Sequence, residues 1–386
     1  MRTGVFFFGG VEMPDRGAGP PAPQARRSKQ ADFWAVHERL VELGVLAEDL
    51  GYDSYWLAEH HFQHEGYEVV PNGILLGAFV AARTSRIKIG TLFNIVPQWH
   101  PLRLAEDFAV LHNLSGGRAL LGVGRGTVPR EIESLSTAGV SVGSFDNPER
   151  ASADAHNREL FEESMEVIRL ALSEDELSFA GRFFTLPPGA VPDRGASVET
   201  LTLVPRPRYP FEIWQAVTSP PTIEYVPRVG HGAVFWNLHH SFLRRYWERY
   251  EELWLEHQGE PLGRGEKRML VLNVRVEETH EAAWERARPG HDEFWKFLGP
   301  YGWSRGYMGP DGKPSAPGLV PSLEESVAQR AWVIGTPEEV AEGVDFHRQA
   351  LGLEHLAIFP NFAGDPYEET EQQMARFAGE VLPLLS

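Results

Sequence analysis

Val5-Phe6-Phe7-Phe8-Gly9-Gly10 is an apolar, aromatic run closed by two glycines, and it reads as a buried strand. The stretch directly behind it decides between two architectures. An open, doubly wound sheet places a glycine-rich turn and then a helix immediately after its first strand. Here a Gly/Pro-rich stretch continues to about Asp32 and reads as a long loop. That favours a closed barrel.

Working outward, Val36, Leu40, Leu43, Leu46, Ala47 and Leu50 recur at helical spacing, and Gly51 stops the helix. Ser54–Leu57 reads as the second strand, 74–82 as a buried helix and 87–96 as a third strand region rich in β-branched residues. Pro101 opens a helix in the first turn, where proline is favoured, and Gly116-Gly117 ends it. Further strands are expected at 119–123, 211–216, 233–236, 269–276 and 356–359, with helices at about 158–172, 222–229 and 241–257. Thr336-Pro337-Glu338-Glu339 is a helix start: Thr336 caps, Pro337 takes the first position and Glu339 completes a capping box. A helix over about 367–384 closes the chain. Strands that alternate with helices imply a parallel sheet, and eight such units imply an α/β fold of the (β/α)8 TIM-barrel type. The expected organisation is one domain over 1–386, with insertions at about 9–32, 175–210 and 289–322.

Composition narrows the partners. The 386 residues carry 54 acidic and 36 basic side chains, a formal charge of −18, which repels phosphate backbones and anionic membranes. The absence of cysteine excludes disulfides, thiolate metal sites and cysteine nucleophiles. The first apolar run is too short for a signal segment, and nothing approaches the ~20 apolar residues of a membrane span. A cytoplasmic protein is expected.

In a barrel of this kind, chemistry sits at the carboxyl ends of the strands. Glu59-His60-His61 follows the second strand there. Histidine exchanges protons near neutral pH, which suits general acid–base work; a satisfied, partly buried pair is the alternative. A metal site built on His60, His61 and His64 is disfavoured, because neighbours on a strand point to opposite sides and the His-Glu-x-x-His pattern is absent. Asn94, with Gln98 and His100 beyond it, follows the third strand. Gly124-Arg125-Gly126 follows the fourth, placing an arginine suited to forking onto phosphate in a compact turn; a plain surface arginine is the alternative. Thr218-Ser219, before Pro220, is either an ordinary helix cap or a source of hydroxyls and N–H groups for an anion.

Taken together, Trp56-Leu57-Ala58-Glu59-His60-His61-Phe62 resembles the flavin-dependent luciferase-like monooxygenases. The similarity continues in Gly90-Thr91, Pro97-Gln98-Trp99-His100-Pro101, Ala105-Glu106-Asp107, Ser115-Gly116-Gly117-Arg118, Gly124-Arg125-Gly126 and Gly335-Thr336-Pro337-Glu338-Glu339. Each motif is weak alone; their order and spacing across nearly the whole chain carry the resemblance.

It implies a site for reduced FMN at the strand ends. His60 matches the family's catalytic base, and His61 shapes the site beside it. Leu92-Phe93 falls where relatives can hold a non-proline cis peptide under the flavin ring, and Leu92, Phe93 and Asn94 count as cofactor contacts. Arg125, with Gly126, matches the phosphate arginine, and Ala216, Val217, Thr218 and Ser219 fall in a region of further cofactor contacts. Phe8, Phe62, Phe93, Trp99 and Trp236 line an apolar substrate pocket or belong to the barrel core, and the segments 9–32 and 289–322 act as lids. The implied reaction inserts one oxygen atom of O2 into a small or medium organic substrate through a flavin C4a-hydroperoxide. A separate reductase supplies the reduced flavin, and the enzyme is a homodimer without metal. Relatives that use F420 for hydride transfer, and non-catalytic flavin binders, are the alternatives. Gly124 stands where luciferase has a cysteine, and the first loop and the 175–210 excursion also differ, so substrate and light emission are not carried over.

Overall fold

The computed structural model describes residues 1–136, 138–142, 150–189, 191–316 and 318–385. Eight parallel strands form the barrel: β1 (Arg2–Phe7), β2 (Ser54–Leu57), β3 (Lys88–Thr91), β4 (Ala119–Gly124), β5 (Ile213–Ala216), β6 (Gly232–Trp236), β7 (Arg268–Val276) and β8 (His355–Phe359). Neighbours in sequence pair in order, β8 returns to β1, and Ile213↔Leu121, Trp214↔Gly122 and Gln215↔Val123 join β5 to β4 to close the ring.

Large rings facing small residues fill the interior. Trp56 on β2 lies opposite Gly90 on β3, where an added Cβ would come within 2.3 Å of the indole. Trp214 on β5 covers Gly232 on β6 in the same way, at 2.7 Å. The two indoles meet edge to face across the barrel at 6.5 Å. Any side chain at Gly90 would therefore displace packed core, which costs about 1–3 kcal/mol or more.

Helices alternate with the strands: α1 (Gln30–Asp49), α2 (Gly73–Arg83), α3 (Pro101–Leu114), α4 (Pro129–Leu135), α5 (Arg150–Ser173), α6 (Pro220–Arg228), α7 (His240–Gln258), α8 (His280–Leu298), α9 (Leu323–Ala328), α10 (Pro337–Leu351) and α11 (Tyr367–Arg376). The expected capping box of α10 is present: Thr336 accepts from the Glu339 N–H, and Glu339 accepts from the Thr336 N–H.

Some expected boundaries change. The region read as one strand over 87–96 breaks after Thr91; a short strand, Asn94–Ile95, then pairs with the end of β4. Trp332–Gly335, not anticipated from sequence, pairs with the outer half of β7. The insertion expected from 289 begins inside α8, which runs on to Leu298 despite Pro289-Gly290. Gly290 is needed there because the helix lies so close to Phe362 that a Cβ would fall 2.6 Å from the phenylalanine Cβ. The 175–210 excursion carries two small antiparallel pairs, Phe179–Ala180 with Thr185–Leu186 and Val191–Asp193 with Ala196–Val198. Among the described residues, no helix is long and apolar enough to cross a membrane.

Candidate active site

The chain leaves β2 through Ala58-Glu59-His60-His61-Phe62. The His60 N–H donates to the Val70 carbonyl at 3.0 Å, which folds the 63–70 turn back over the strand end. Glu59 is fully buried and accepts from Trp99 Nε1 at 2.9 and 3.1 Å. His61 Nε2 faces the same carboxylate at 3.4 Å. Trp99 and His61 are thus held by one acid, whereas Phe62, expected in the pocket, is 53% exposed, has φ of +59° and lies against His61.

His60 stands between two carboxylates. Its Nδ1 lies 3.1 and 3.2 Å from the oxygens of Glu131, the third residue of α4. Gln63 Nε2 anchors that carboxylate at 2.7 Å. On the other side, Nε2 lies 3.2 Å from Glu68 Oε2. Burial opposes charge on the ring, but Glu68 and Glu131 outweigh it and raise His60 to about 9. Burial, with Glu131 nearby, pushes the Glu68 carboxyl up to about 8 against the pull of His60. Glu131 goes the other way: burial opposes its charge, but His60 and Gln63 hold it below the usual carboxylate range. The cluster favours a charged imidazole at neutral pH, whereas a base needs a neutral one.

Next to this cluster the Leu92-Phe93 peptide is cis, where the resemblance implied such a bond. Phe93 fills the space beside Gly124: a Cβ there would sit 3.0 Å from Phe93 Cβ. Asn94 is buried; its Nδ2 donates to the Gly122 carbonyl at 2.8 Å, while its Oδ1 has no partner.

Arg125 follows Gly124 and precedes Gly126, whose φ of +77° makes the compact turn. Its guanidinium is largely buried, and Nη1 donates to Asp154 on α5 at 2.9 Å. Arg158, one turn further along α5, holds the other Asp154 oxygen at 3.1 Å. Burial lowers the Arg125 pKa, and Asp154 offsets this only in part, so this is a partly desolvated cation with a half-buried counter-ion.

Ala216 ends β5 and Val217 is buried beyond it, while Thr218 is exposed. Ser219 occupies the cap position of α6 but makes no capping bond; its hydroxyl pairs with Thr222 Oγ1 at 3.0 Å. Pro220 and Pro221 fill the first helical positions and lack N–H groups. The N–H donors left at this helix entry are therefore those of Thr218 and Ser219.

Phe8, Trp236, Phe359 and Phe294 form an aromatic cluster at the strand ends, with Phe8–Trp236 at 5.3 Å and Phe8–Phe359 at 4.8 Å. Segment 299–307 covers it: Trp303 meets Trp236 at 5.1 Å. The first loop is fastened to the same wall through Glu293 of α8, which is fully buried and accepts from Arg26, Tyr67 and Lys296.

Sequence reasoning missed Glu68, Glu131, Asp154 and Glu293. Glu131 carried the best signal, an acid in the first turn after Val128-Pro129, although the helix dipole alone explains that choice.

Two features fit a flavin: the unpartnered Asn94 Oδ1 that suits a ring N–H, and Arg125 with a displaceable partner. A family model described as luciferase-like monooxygenase matches residues 1–355. An uncharacterised protein y4vJ of Sinorhizobium fredii is 30% identical over 215 residues, 56% of this chain; the match spans 54%, about half, of that relative. The F420-dependent glucose-6-phosphate dehydrogenase of Amycolatopsis mediterranei is 28% identical over 90% of this chain and 94% of its own. Among solved structures, the oxygenating constituent of 3,6-diketocamphane monooxygenase of Pseudomonas putida, in complex with FMN, superposes with a TM-score of 0.70 at 22% identity, covering 100% of this chain and 99% of that one.

Proposed function

The chain belongs to the luciferase-like monooxygenase family, and we propose that it is an FMN-dependent monooxygenase acting on a small or medium organic substrate with an apolar part. Reduced FMN, delivered by a separate reductase, supplies when bound the electrons that activate O2. The observation that carries this reading is Arg125, a largely buried guanidinium in the compact Gly124-Arg125-Gly126 turn whose partner, Asp154, can give way to a phosphate.

Arg125 would hold the phosphate in exchange for Asp154, with the N–H groups of Thr218 and Ser219 as further donors. Asn94 Oδ1 would accept from the ring. His60 is the proton-transfer group. Flanked by Glu68 and Glu131 it enters as a proton donor, and it becomes a base only after release of that proton. His61, tied to Glu59, sets the wall beside it. Phe8, Phe93, Trp99 and Trp236 give the substrate an apolar surface, and segments 9–29 and 299–307 keep water from it.

The relative that uses F420 over most of its length supports a second reading, hydride transfer without O2. Titrating the protein with reduced FMN and with F420, and measuring turnover with and without O2, separates the two. Tight F420 binding with O2-independent turnover rejects the monooxygenase. A homodimer in the cytoplasm completes the proposal. Leu75 and Phe79 on α2, with Val110 and Leu114 on the adjacent α3, expose the apolar face that supports pairing.

A further inference from the structure

We propose that Glu68 is a positioning residue that sets how tightly His60 keeps its ring proton. The proposal rests on the reading of His60 as the proton-transfer group.

The two carboxylates beside His60 are not equivalent. Glu131 presents both oxygens to Nδ1 and is itself fixed by Gln63. That side orients the ring. Glu68 is 1% exposed, yet its Oε2 has no well-formed hydrogen bond and only stands 3.2 Å from His60 Nε2. Other buried acids here are better served. Glu48 accepts from the N–H groups of Ser85, Arg86 and Ile87, and Glu293 has Arg26, Lys296 and Tyr67. Among the described residues, the one cation facing Glu68 is the His60 imidazolium. A buried carboxylate stays ionised only with such compensation.

The charges then constrain each other. Glu131 already neutralises the imidazolium, and Glu59 adds a third acid behind the ring. Ionising Glu68 as well adds one more negative charge to the buried cluster, which burial opposes. Arg130 on α4 lies near Glu131, and Tyr301, carried by the 299–301 turn, faces Glu68, Glu131 and Arg130. Tyr301 stays neutral through this range, because burial pushes its hydroxyl up to about 12. Glu68 and His60, raised to about 8 and about 9, therefore titrate as a pair. An ionised Glu68 holds the proton on Nε2; a neutral one frees that nitrogen to exchange protons with a reacting molecule.

The test is the 15N NMR titration of the His60 ring in the full-length, cofactor-free chain, wild type against Glu68→Gln, with the pH profile of turnover measured alongside. The wild-type ring is expected to titrate well above an ordinary imidazole. In E68Q its midpoint should fall by about one pH unit or more, a tenfold loss of proton affinity. The same displacement should appear in kcat, with the Kd for FMN within about twofold. An unmoved His60 midpoint in folded E68Q overturns the proposal. Should E68Q fail to fold, Glu68→Asp moves the carboxylate back by one methylene, and an unshifted midpoint there overturns it equally. A shifted midpoint without O2-dependent turnover supports Glu68 as the group that sets the ring proton and rejects the monooxygenase reading. O2-dependent turnover with an unmoved midpoint does the reverse.

Discussion

Arg26 and Glu293 meet side by side, Nε at 3.0 Å from Oε1 and Nη2 at 3.0 Å from Oε2, although 267 residues separate them. Both side chains are buried, and the fork fastens the first loop to α8. Gly17 N–H and Lys296, through the Gly19 carbonyl, add to the same seam. Arg26→Ala leaves a buried acid with Lys296, Tyr67 and the Gly17 N–H. The expected loss is on the order of 3 kcal/mol, the scale for breaking a buried pair, together with faster proteolysis between residues 15 and 29. Thermal melts and limited digestion check this; an unchanged melt with an unchanged digest removes the fastening role.

Arg125 and Asp154 give a pair of opposite signs. A charge-assisted bond to phosphate contributes about 1.5–3 kcal/mol. Arg125→Ala should therefore weaken FMN binding by about 10- to 100-fold and riboflavin binding much less. Asp154→Asn removes the competitor for the guanidinium and should tighten FMN. Fluorescence titrations of both flavins decide it, and equal losses for FMN and riboflavin in the Arg125 variant reject the phosphate role.

For His60→Ala, turnover should fall by roughly 10²-fold or more, the usual scale of an acid–base group, with flavin affinity nearly intact. Stopped-flow turnover next to equilibrium binding separates the two quantities. A variant that loses flavin binding and turnover in equal measure makes His60 part of the binding wall instead.

The barrel was legible because its strands are dense in β-branched and aromatic residues and its helices carry plain stop signals, such as Gly51 and Gly116-Gly117. Two elements escaped for opposite reasons. Trp332–Gly335 follows the helical run of α9 with no glycine or proline between them to mark a new element. Within α8, Pro289-Gly290 looks like a break, yet the helix continues because Gly290 admits Phe362. The position of the cis peptide came from the order of motifs, since nothing in Leu92-Phe93 itself signals it. Glu68 and Glu293 were illegible in principle. A glutamate in a polar turn or on a helix looks solvated until a distant element covers it, and here α4 and the first loop do the covering.

Acid stability has an identifiable contributor in Glu48. Burial favours its neutral form, but the N–H groups of Ile87, Arg86 and Ser85, with the Ser85 hydroxyl, outweigh that and lower it from 4.5 to about 2. A depressed carboxylate contributes stability that is complete above the unfolded value and is lost as pH falls through the folded one. The window is thus about 4.5 down to 2. Glu48→Gln should lower stability at neutral pH and flatten the acid limb across that window. Urea melts at pH 7 and pH 3 test it; curves for the two proteins that stay parallel exclude the effect.

The α2–α3 face makes the assembly testable. Leu75 and Phe79 are one helical turn apart and 61% exposed each, and Leu114 on the neighbouring helix is 81% exposed. These side chains are not needed for the barrel core, which packs through Ile74, Gly77 and Val80 on α2 and through Leu104, Phe108 and Leu111 on α3. Covering a large apolar side chain contributes about 1.5–3 kcal/mol, and a twofold dimer counts each substitution twice. Phe79→Glu should therefore weaken pairing by about 3–6 kcal/mol, at least hundredfold in Kd, while the monomer keeps its fold and its flavin site. Sedimentation velocity across a concentration series reads this directly. A wild-type chain that sediments as a monomer throughout, or a Phe79→Glu dimer as tight as the wild type, removes this face as the contact.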